Sequence, residues 1–521
     1  MENKWNKPLQ QTILENNMKK KELNKKNMIE LKKNISNSNS QFTISIQCRF
    51  ALRCFWLRLF FGLHFRTVNT QSPTEKTVRE FERFLRERDP LTGARRYELF
   101  HEHVVVLCKT EGVVGDNAVW ATDSTPMLCY GATLGTVRLL GDGLRSLARA
   151  WVEAGGGTLE ELEERWKLVL LTTKSTKAAF PVDWKDRDAR SQVVVQLADA
   201  VVRVVDDVRL RLAEVRRNKH KGLLRRCRSL AKVVADDLGW DEAGRLVVAK
   251  HVRADRHVSV TDPQARHGRK SKSKRFNGFK LHVLGDVVSG VIASLAVTPG
   301  NGHDSHPAPR VIRRAKALFA DIRQVLGDTA YGGAALRVGV RLLQGVKLLA
   351  PPPAGHGRLT TKLGKNEFDI DFRTMTATCP NGQVSTDSKT AIYSMSGDTR
   401  PTTRLYWARE KCTGCPLAKQ CPTTTRGGGG RHSILLHPDE EEVRTARLEW
   451  DDPKIREEYR TRSQCERLVH KLTRRGGRQA RQWGLAAARQ QAHAIAAAAN
   501  LLLLARALAA EEKESRTSRA A

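Results

Sequence analysis

Three stretches of the chain decide its fold: VWATDSTPM at 119–127, VLGDTAYGG at 325–333 and YRTRSQCERLVH at 459–470. Each contains one acidic residue, namely Asp123, Asp328 and Glu466. The apolar runs at 118–120 and 322–326 predict buried strands that deliver the first two carboxylates at their ends, and the third acid lies in a helical pattern. Because carboxylates are the hard oxygen ligands that Mg²⁺ prefers, a fold that brings the three together would create a shared metal site.

An aspartate at a strand end is more often a turn former or a helix cap than a metal ligand, so the acids alone leave both readings open. The surrounding residues favour the metal site. Tyr459 and Arg462 precede Glu466 in the spacing Y-x2-R-x3-E. Further short motifs occur at 262–263, 265–272, 276–282, 297–301 and 303–305. Together and in this order, these segments resemble the DDE transposases of bacterial insertion sequences, in the group marked by a Tyr-Arg-Glu-Lys signature.

This resemblance covers most of the chain, from about residue 74 to residue 508. It implies an α/β fold with an RNase H-like mixed-sheet core, a helical N-terminal region and a small β-rich insertion. It also implies a transposase that cuts double-stranded DNA at terminal inverted repeats and joins the freed 3′ hydroxyl to target DNA. Asp123, Asp328 and Glu466 would hold two Mg²⁺ ions for this reaction. Synapsis of two DNA ends implies a homodimer.

The chain departs from the signature at one position. The family pattern places a Lys seven residues after Glu466, where this chain has Thr473, with Lys471 and Arg474 nearby. Two alternatives to an active transposase therefore stay open: a catalytically inactive remnant that only binds DNA, and a nuclease of the same core that cuts without joining. The presence of all three acids favours activity, whereas Thr473 and an atypical N-terminal leader favour decay.

Composition and pattern divide the chain into predicted regions. The leader at 1–70 is rich in Asn, Lys, Gln and Ser and is predicted to be disordered. A helical region at 74–115 follows, either a DNA-binding unit or a brace on the core. The core at 116–508 is interrupted by a helical insertion and by a β-rich, cysteine-containing insertion, and a polar tail closes the chain. These last three segments are predicted at 135–250, 365–437 and 509–521.

The net charge of +34, from 90 Lys and Arg against 56 Asp and Glu, predicts a polyanionic partner, most simply DNA. Candidate DNA contacts come from alternating positions of a strand, from a basic run at 266–275 read as a flexible loop, and from the Glu466 helix. They are Lys280, His282, Arg269, Lys270, Lys272, Tyr459, Arg462, Arg474 and Arg475. The alternatives are a satisfied strand histidine for His282 and a solvated helix face for the arginines.

Four cysteines of the β-rich insertion are spaced for a metal: Cys379, then Cys412, Cys415 and Cys421. Tetrahedral Zn²⁺ accepts four thiolates from loops of variable spacing, so a structural zinc site is one interpretation and a set of free thiols is the other. The ten cysteines of the chain are irregularly spaced, which argues against a disulfide framework.

No segment of the sequence meets the expectation for a transmembrane helix. The apolar stretch at 494–510 contains Asn500 and Arg506 and is predicted to be a buried helix. No secretory signal with a clean apolar core and a cleavage site opens the chain. We therefore expect a bacterial cytoplasmic protein, associated with the nucleoid when bound to DNA and without a membrane partner.

Overall fold

A computed structural model of the protein describes residues 75–249, 253–270, 273–352, 363, 365–392, 401–418, 420–421 and 432–520. The predicted leader at 1–70 and Lys272 lie outside the described residues. Within the described part of the chain, the residues from Leu85 onward form a compact unit, and the central sheet lies in it.

The α-helices of the described residues follow one another in this order: α1 Glu75–Arg86, α2 Arg96–Thr110, α3 Thr136–Glu153, α4 Leu159–Trp166, α5 Thr176–Ala179, α6 Arg187–Leu210, α7 His220–Asp237, α8 Ala308–Leu318, α9 Ala334–Gln344, α10 Arg409–Cys412, α11 Glu440–Asp451, α12 Pro453–Arg460, α13 Cys465–Leu472 and α14 Leu485–Ala520. The strands are β1 Trp120–Leu128, β2 Leu238–Trp240, β3 Leu246–Val248, β4 Arg266–Arg269, β5 Arg275–Asp286, β6 Ile292–Pro299, β7 Gln324–Leu326, β8 Lys347–Leu349, β9 Asp369–Asp371, β10 Thr376–Thr378, β11 Asp387–Ala391, β12 Thr402–Trp407 and β13 His432–Leu436. Short 3₁₀ turns include Thr329–Tyr331 and Thr461–Gln464, and a π turn spans Thr473–Gly477.

The central sheet is mixed, with β1 as its middle strand. β5 pairs with β1 in antiparallel register and also pairs antiparallel with β4 and β6. On the other side of β1, β7 and then β8 are added in parallel register. The crossover from β7 to β8 runs through α9, as a parallel connection requires.

Helices cover both faces of the sheet. Successive side chains of β1 point alternately to one face and to the other. Ala121 and Met127 pack on α13 and α14, and we call this side the α13–α14 face. Trp120 packs with α8 and α9 on the opposite side, the α8–α9 face. Because side chains alternate with period two, Asp123 belongs to the α13–α14 face.

Two inserted segments lie outside this sheet. Between β1 and β4, the helices α3 to α7 form their own apolar core, in which Leu197, Val201 and Val208 of α6 repeat at helical spacing, and a β2–β3 hairpin follows α7. Between β8 and α11, strands β9 to β13 enclose a second small core around Phe368 and Trp407. The segment 135–250, which was expected to be helical, contains helices in the structure. The described part of 365–437, which was expected to be β-rich, contains strands.

Two local expectations are wrong. The strand predicted to end just before Asp123 instead begins at Trp120 and continues to Leu128, because β5 supplies hydrogen-bonding partners along its whole length. The basic run at 266–275 is not a flexible loop in its described part. Arg266–Arg269 forms an edge strand paired with β5, and Lys270 N donates to Lys274 O to close the hairpin.

The expectation that no segment qualifies as a transmembrane helix is also wrong by length and composition. Among the helices that the structure describes, α14 meets both criteria over Leu485–Glu511. Its residues nevertheless pack in the protein, since Ala488, Ala492 and Ala496 belong to the α13–α14 face core. Asn500 is buried and its side chain bonds both the N–H and the carbonyl of Ile292, so α14 serves as a core helix.

Candidate active site

The parallel pairing of β1 and β7 places two of the predicted acids beside each other. Ala121 is the register partner of Leu326, and Asp123 and Asp328 each lie two residues further along. Neighbouring strands are about 4.8 Å apart, and residues two positions on point to the same face. The register of two strands therefore brings together Asp123 and Asp328, which are 205 positions apart in the sequence.

The turn after β7 holds Asp328 in a fixed orientation. Its Oδ1 accepts a hydrogen bond from Ala330 N at 2.9 Å, and its carbonyl accepts one from Tyr331 N at 2.9 Å. The buried Tyr331 ring packs directly over Gly327, where an added Cβ would lie 2.9 Å from the tyrosine Cβ. Glycine is required at 327 by this close approach, which positions Asp328 at the strand end.

Arg462 bridges the two aspartates. Its Nη2 lies 3.2 Å from Asp123 Oδ2 and 3.9 Å from Asp328 Oδ2, and its side chain is 19% exposed. Its buried Nε has no hydrogen-bond partner among the described residues. Two carboxylates thus share one guanidinium, and the cluster carries one net negative charge when all three groups are ionised.

Burial and charge act against each other in this cluster. Desolvation raises the pKa of Asp123 above its usual value, and Arg462 is the largest influence that opposes the rise. Asp328 raises the same pKa further, and Lys270 lowers it, which places this basic residue within electrostatic reach of the site. Desolvation is the largest single influence on Arg462 and lowers its pKa, but the combined attraction of Asp123, Tyr459, Asp328 and Cys465 exceeds it and raises that pKa. The geometry favours binding of an additional cation.

Tyr459 makes contacts inside the protein. Its hydroxyl donates to Gly327 O at 2.9 Å, and its ring stacks edge-on against Trp450 with centroids 4.7 Å apart. These contacts tie α12 to the end of β7 beside Asp328. The predicted DNA contact of Tyr459 stays a prediction. Trp450 was not among the residues that the sequence singled out. The signal that could have found it is its spacing of nine residues from Tyr459, on the preceding helix.

The positions i, i+3 and i+7 of Tyr459, Arg462 and Glu466 predict one regular helix with all three on the same face, and the structure does not form that helix. α12 ends at Arg460, and a 3₁₀ turn over Thr461–Gln464 intervenes before α13. Thr461 and Ser463 donate their hydroxyls to the carbonyls of Glu458 and Arg460, and such back-bonding competes with regular α-helix. The tighter turn changes the angular offsets between the residues on either side of it.

Glu466 is exposed in the first turn of α13. Within the described parts of the chain, no group of three or more His, Cys, Asp or Glu residues is close enough to hold a metal ion. The structure therefore brings Asp123 and Asp328 together and does not add Glu466 to them. The role of Glu466 as a metal ligand stays a prediction. Its neighbour Cys465, which sequence reasoning missed, is buried and has its thiol pKa raised by burial first and by Asp123 second.

The position of the missing signature lysine is occupied by Thr473, whose hydroxyl donates to His470 O. Lys471 does not replace it at the surface, because its Nζ donates to Gly290 O at 3.0 Å and its side chain is half-buried. Arg474 is exposed in the π turn that follows, and Arg475 Nη1 donates back to Lys471 O at 3.0 Å. The predicted DNA contacts of these two arginines remain untested.

The alternating strand positions of Lys280 and His282 predict that both side chains point toward the catalytic edge, and this expectation is wrong. Their register partners on β1 are Pro126 and Ser124, so both lie on the α8–α9 face, opposite Asp123. Lys280 Nζ forms an ion pair with Asp304 Oδ1 at 2.9 Å. His282 is buried, with Nε2 2.9 Å from Thr298 Oγ1, and burial lowers its pKa to about 4.

The remaining predicted DNA contacts lie at the β4–β5 hairpin. Arg269 and Lys270 are exposed there, on an edge strand of the sheet that carries Asp123. Lys272 lies outside the described residues. Exposed cations beside a cluster of carboxylates suit the placement of phosphates near the site, and the DNA contacts of these two residues stay a prediction.

The four predicted zinc ligands converge in the β-rich insertion. Cys379, Cys412, Cys415 and Cys421 line one cavity together with His432. The pKa of the Cys412 thiol is raised by burial first, and then by the other three thiols. These residues, although described, do not form a group close enough to ligate a metal ion in the structure. The zinc interpretation and the free-thiol interpretation both stay open.

Comparison with known proteins gives two similarities. Residues 242–501 match the family model described as Transposase DDE domain, and this segment contains Asp328, Arg462 and Glu466. A search of curated proteins found no match. A cryo-EM structure of the piggyBac transposase synaptic complex with hairpin DNA is similar at 10% sequence identity, covering 84% of this chain and 74% of that chain with a TM-score of 0.24. The family match supports the assignment of this chain as a DDE transposase.

Proposed function

We propose that this protein is the transposase of a bacterial insertion sequence, which cuts double-stranded DNA at the terminal inverted repeats of the element and joins the ends to target DNA. The observation that carries the proposal is the pairing of Asp123 with Asp328 at the edge where β1 and β7 run parallel. The family match over 242–501 supports the same chemistry. The order of strands around β1 supports an RNase H-like core, and two DNA ends would require a homodimer.

The two aspartates fit a divalent cation. Both present carboxylate oxygens, the donor type that Mg²⁺ prefers, and both approach a single positive charge, that of Arg462. One negative charge is therefore left over for a bound metal. Bound Mg²⁺ would supply Lewis-acid stabilisation of the phosphodiester displacement. Glu466 is the third ligand on the strength of its motif, and a pair of ions needs it.

The chain's own residues prepare the site for the substrate. Tyr459 and the Gly327 turn fix the position of Asp328, and Arg462 offsets part of the negative charge of the two carboxylates. Lys270, with Arg269, would hold DNA phosphates at the hairpin, where they set the register of the duplex. The attacking group would enter between these phosphates and the two aspartates, within a preorganised electrostatic setting.

A structural zinc ion in the β-rich insertion belongs to the same proposal. The support is the convergence of the four cysteines on one cavity together with His432. Metal analysis of the purified protein should give about one zinc per chain, reduced in Cys412→Ser but not in the buried, remote Cys227→Ser. Reduced thiols without zinc, or a disulfide, would remove this part of the proposal.

The first alternative, an inactive remnant that binds DNA, is favoured by two observations. Glu466 does not stand with the two aspartates, and Thr473 replaces the signature lysine. Such a protein would share the basic surface and would differ only in turnover. Localisation in the bacterial cytoplasm, at the nucleoid, follows from either function.

The decisive experiment is a cleavage and strand-transfer assay with Mg²⁺ on DNA carrying the inverted repeats. Wild-type protein is compared with Asp328→Asn and with Asp321→Asn, an exposed aspartate shortly before β7. We expect joined products from wild type and Asp321→Asn, and none from Asp328→Asn. Binding without products from all three proteins would establish the remnant, and cut but unjoined DNA would establish the nuclease.

A further inference from the structure

Two aromatic side chains meet at the protein surface beyond the end of β1. Tyr130 is 53% exposed and Trp483 is 59% exposed. Their ring centroids are 5.6 Å apart, with an interplanar angle of 61°. Large aromatic rings left in water cost hydrophobic free energy, and a contiguous pair of them marks a surface that binds something with a flat apolar face.

The backbone under this pair is fixed, so the rings are held in place. Leu128 N donates to Arg478 O at 2.8 Å, and Ala480 N donates to Leu128 O at 2.8 Å, which continues the sheet by one short parallel pairing. Gln479 adds a side-chain bond to Cys129 O at 2.8 Å. The segment that carries Trp483 is therefore tied to the end of the strand that carries Asp123.

The other side of Trp483 is anchored as well. Gly484 N donates to Oδ1 of the fully buried Asp262 at 3.2 Å, and Leu485 N donates to Gln264 Oε1 at 2.9 Å. These bonds fix the start of α14 directly after the tryptophan. A rigid aromatic surface loses little conformational entropy when a ligand stacks on it.

The charge around the pair identifies the ligand. No acidic residue occurs between Glu466 and Glu511, and Arg474, Arg478 and Arg481 are exposed within the same stretch. Aromatic faces among arginines suit nucleic acid, because bases stack on the rings while the cations neutralise the backbone. A purely apolar protein surface would leave these positive charges unused.

We propose that Tyr130 and Trp483 form a stacking site for an unpaired base of the DNA that the active site cuts. This inference rests on the proposed function. Leu128 lies five residues beyond Asp123 along β1, which corresponds to roughly 17 Å. Tyr130 lies two residues further on, so DNA that follows the strand, at about 3.4 Å per nucleotide step, places the stacked base more than about five nucleotides from the bond that is cut.

The test uses fluorescence anisotropy with two labelled DNAs of the same sequence, one fully paired and one with a single-stranded end. Wild type is compared with Trp483→Ala, with the conservative Trp483→Phe and with Trp240→Ala. Trp240 is a matched control because it is 75% exposed and lies in the β2–β3 hairpin, which follows the inserted helices α3 to α7. Trp483→Ala should bind the DNA with the single-stranded end about tenfold more weakly and the paired DNA less than twofold more weakly.

Trp483→Phe should restore most of the affinity, and Trp240→Ala should change neither DNA. Equal losses on both DNAs, a loss in Trp240→Ala, or no loss in Trp483→Ala would overturn the stacking site, as would a change in oligomeric state caused by Trp483→Ala. If wild type binds neither DNA, the proposed function fails. If wild type binds both DNAs and Trp483→Ala does not discriminate between them, only the stacking site fails.

Discussion

Two clusters of carboxylates and guanidinium groups in this protein have opposite charge ratios. At the candidate active site, Asp123 and Asp328 share Arg462, so two acids approach one base. Where α2 meets α8, the buried Glu98 is shared by Arg310 and Arg314, so one acid is approached by two bases. The first cluster has a surplus of negative charge and the second a surplus of positive charge.

The two clusters also differ in how the arginine contacts the carboxylates. Arg314 forms a bidentate pair with Glu98, in which Nη2 donates to Oε2 at 2.7 Å and Nη1 donates to Oε1 at 3.2 Å. Arg462 instead directs a single nitrogen toward both aspartates, at 3.2 and 3.9 Å. A bidentate pair is strong and rigid, whereas a shared contact is easily exchanged. The comparison teaches that charge ratio and denticity separate a structural ion cluster from one prepared for a ligand.

Removing the acid should be most damaging in the structural cluster. Glu98→Ala leaves two guanidinium groups without their anion, and we expect the free energy of unfolding to fall by about 3 kcal/mol. The control is Glu87→Ala, an exposed acid that pairs with Arg96, for which a loss of about 0–1 kcal/mol is expected. Urea unfolding measures both, and equal losses would contradict the distinction.

Acid should weaken the region around the structural cluster. His101 is buried, bonded to Ile292 O at 3.0 Å, and burial lowers its pKa to about 4. Its unfolded form binds a proton near pH 6.5 and its folded form does not, so stability is present above pH 6.5 and is lost as the pH falls toward 4. Between pH 7.5 and pH 5 this group alone should cost about 2 kcal/mol.

The measurement is urea unfolding at both pH values for wild type, His101→Gln and His303→Gln. His303 lies at an exposed loop position, so its replacement serves as the control. His101→Gln should reduce the pH-dependent loss by about 2 kcal/mol, and His303→Gln should leave it unchanged. An unaltered pH dependence in His101→Gln would show that this histidine is not held neutral.

At the candidate active site, removal of the base should have the opposite effect to removal of an acid. Arg462→Ala leaves the two aspartates with more negative charge, and we expect Mg²⁺ alone to bind about tenfold more tightly, a change of about 1.4 kcal/mol. Titration calorimetry without DNA measures this, with Arg460→Ala as the control because Arg460 is exposed and pairs with Glu457 on its own helix. Weaker binding by Arg462→Ala would mean that Arg462 is needed to assemble the site.

The smallest expected effect is a gain in stability. Because burial raises the pKa of Asp123, its carboxylate destabilises the fold more as the pH rises through that pKa. Asp123→Asn should therefore stabilise the metal-free protein at pH 7, while it abolishes cleavage. Thermal melting in a chelator measures the gain, and the exposed Asp116→Asn should show none. A destabilised Asp123→Asn would indicate that Arg462 depends on the negative charge.

The sequence predicted the meeting of Asp123 and Asp328 but not the faces of their neighbours. An apolar run before each aspartate predicted two strands, and the resemblance to DDE transposases implied that their acids share one site. The face on which Lys280 and His282 lie depends on the register of β5 against β1, and a slip of one residue would reverse it. Local sequence does not set that register, because it follows from packing on both sides of the sheet.

The place of Glu466 was also beyond sequence reasoning. Its spacing from Arg462 is that of a helix, but the hydroxyls of Thr461 and Ser463 turn the chain more tightly between them. Competition between side-chain and backbone hydrogen bonds decides such a turn, and the residue types alone allow either result. The spacing of the four cysteines in the β-rich insertion predicted either a zinc site or a set of free thiols; all four line one cavity, and the choice between the two stays a prediction.

The long separation of β1 from its partners also has a consequence for synthesis of the protein. Arg462 is made 339 residues after Asp123, which takes roughly 20–70 s on the ribosome. Until β5 emerges, about 150 residues after Asp123, β1 has no neighbouring strand, whereas α3 to α7 have mostly local contacts and are able to fold at once. The nascent chain therefore carries a folded helical unit and an unpaired strand, and the Asp123–Arg462–Asp328 cluster is assembled only after nearly the whole polypeptide has emerged.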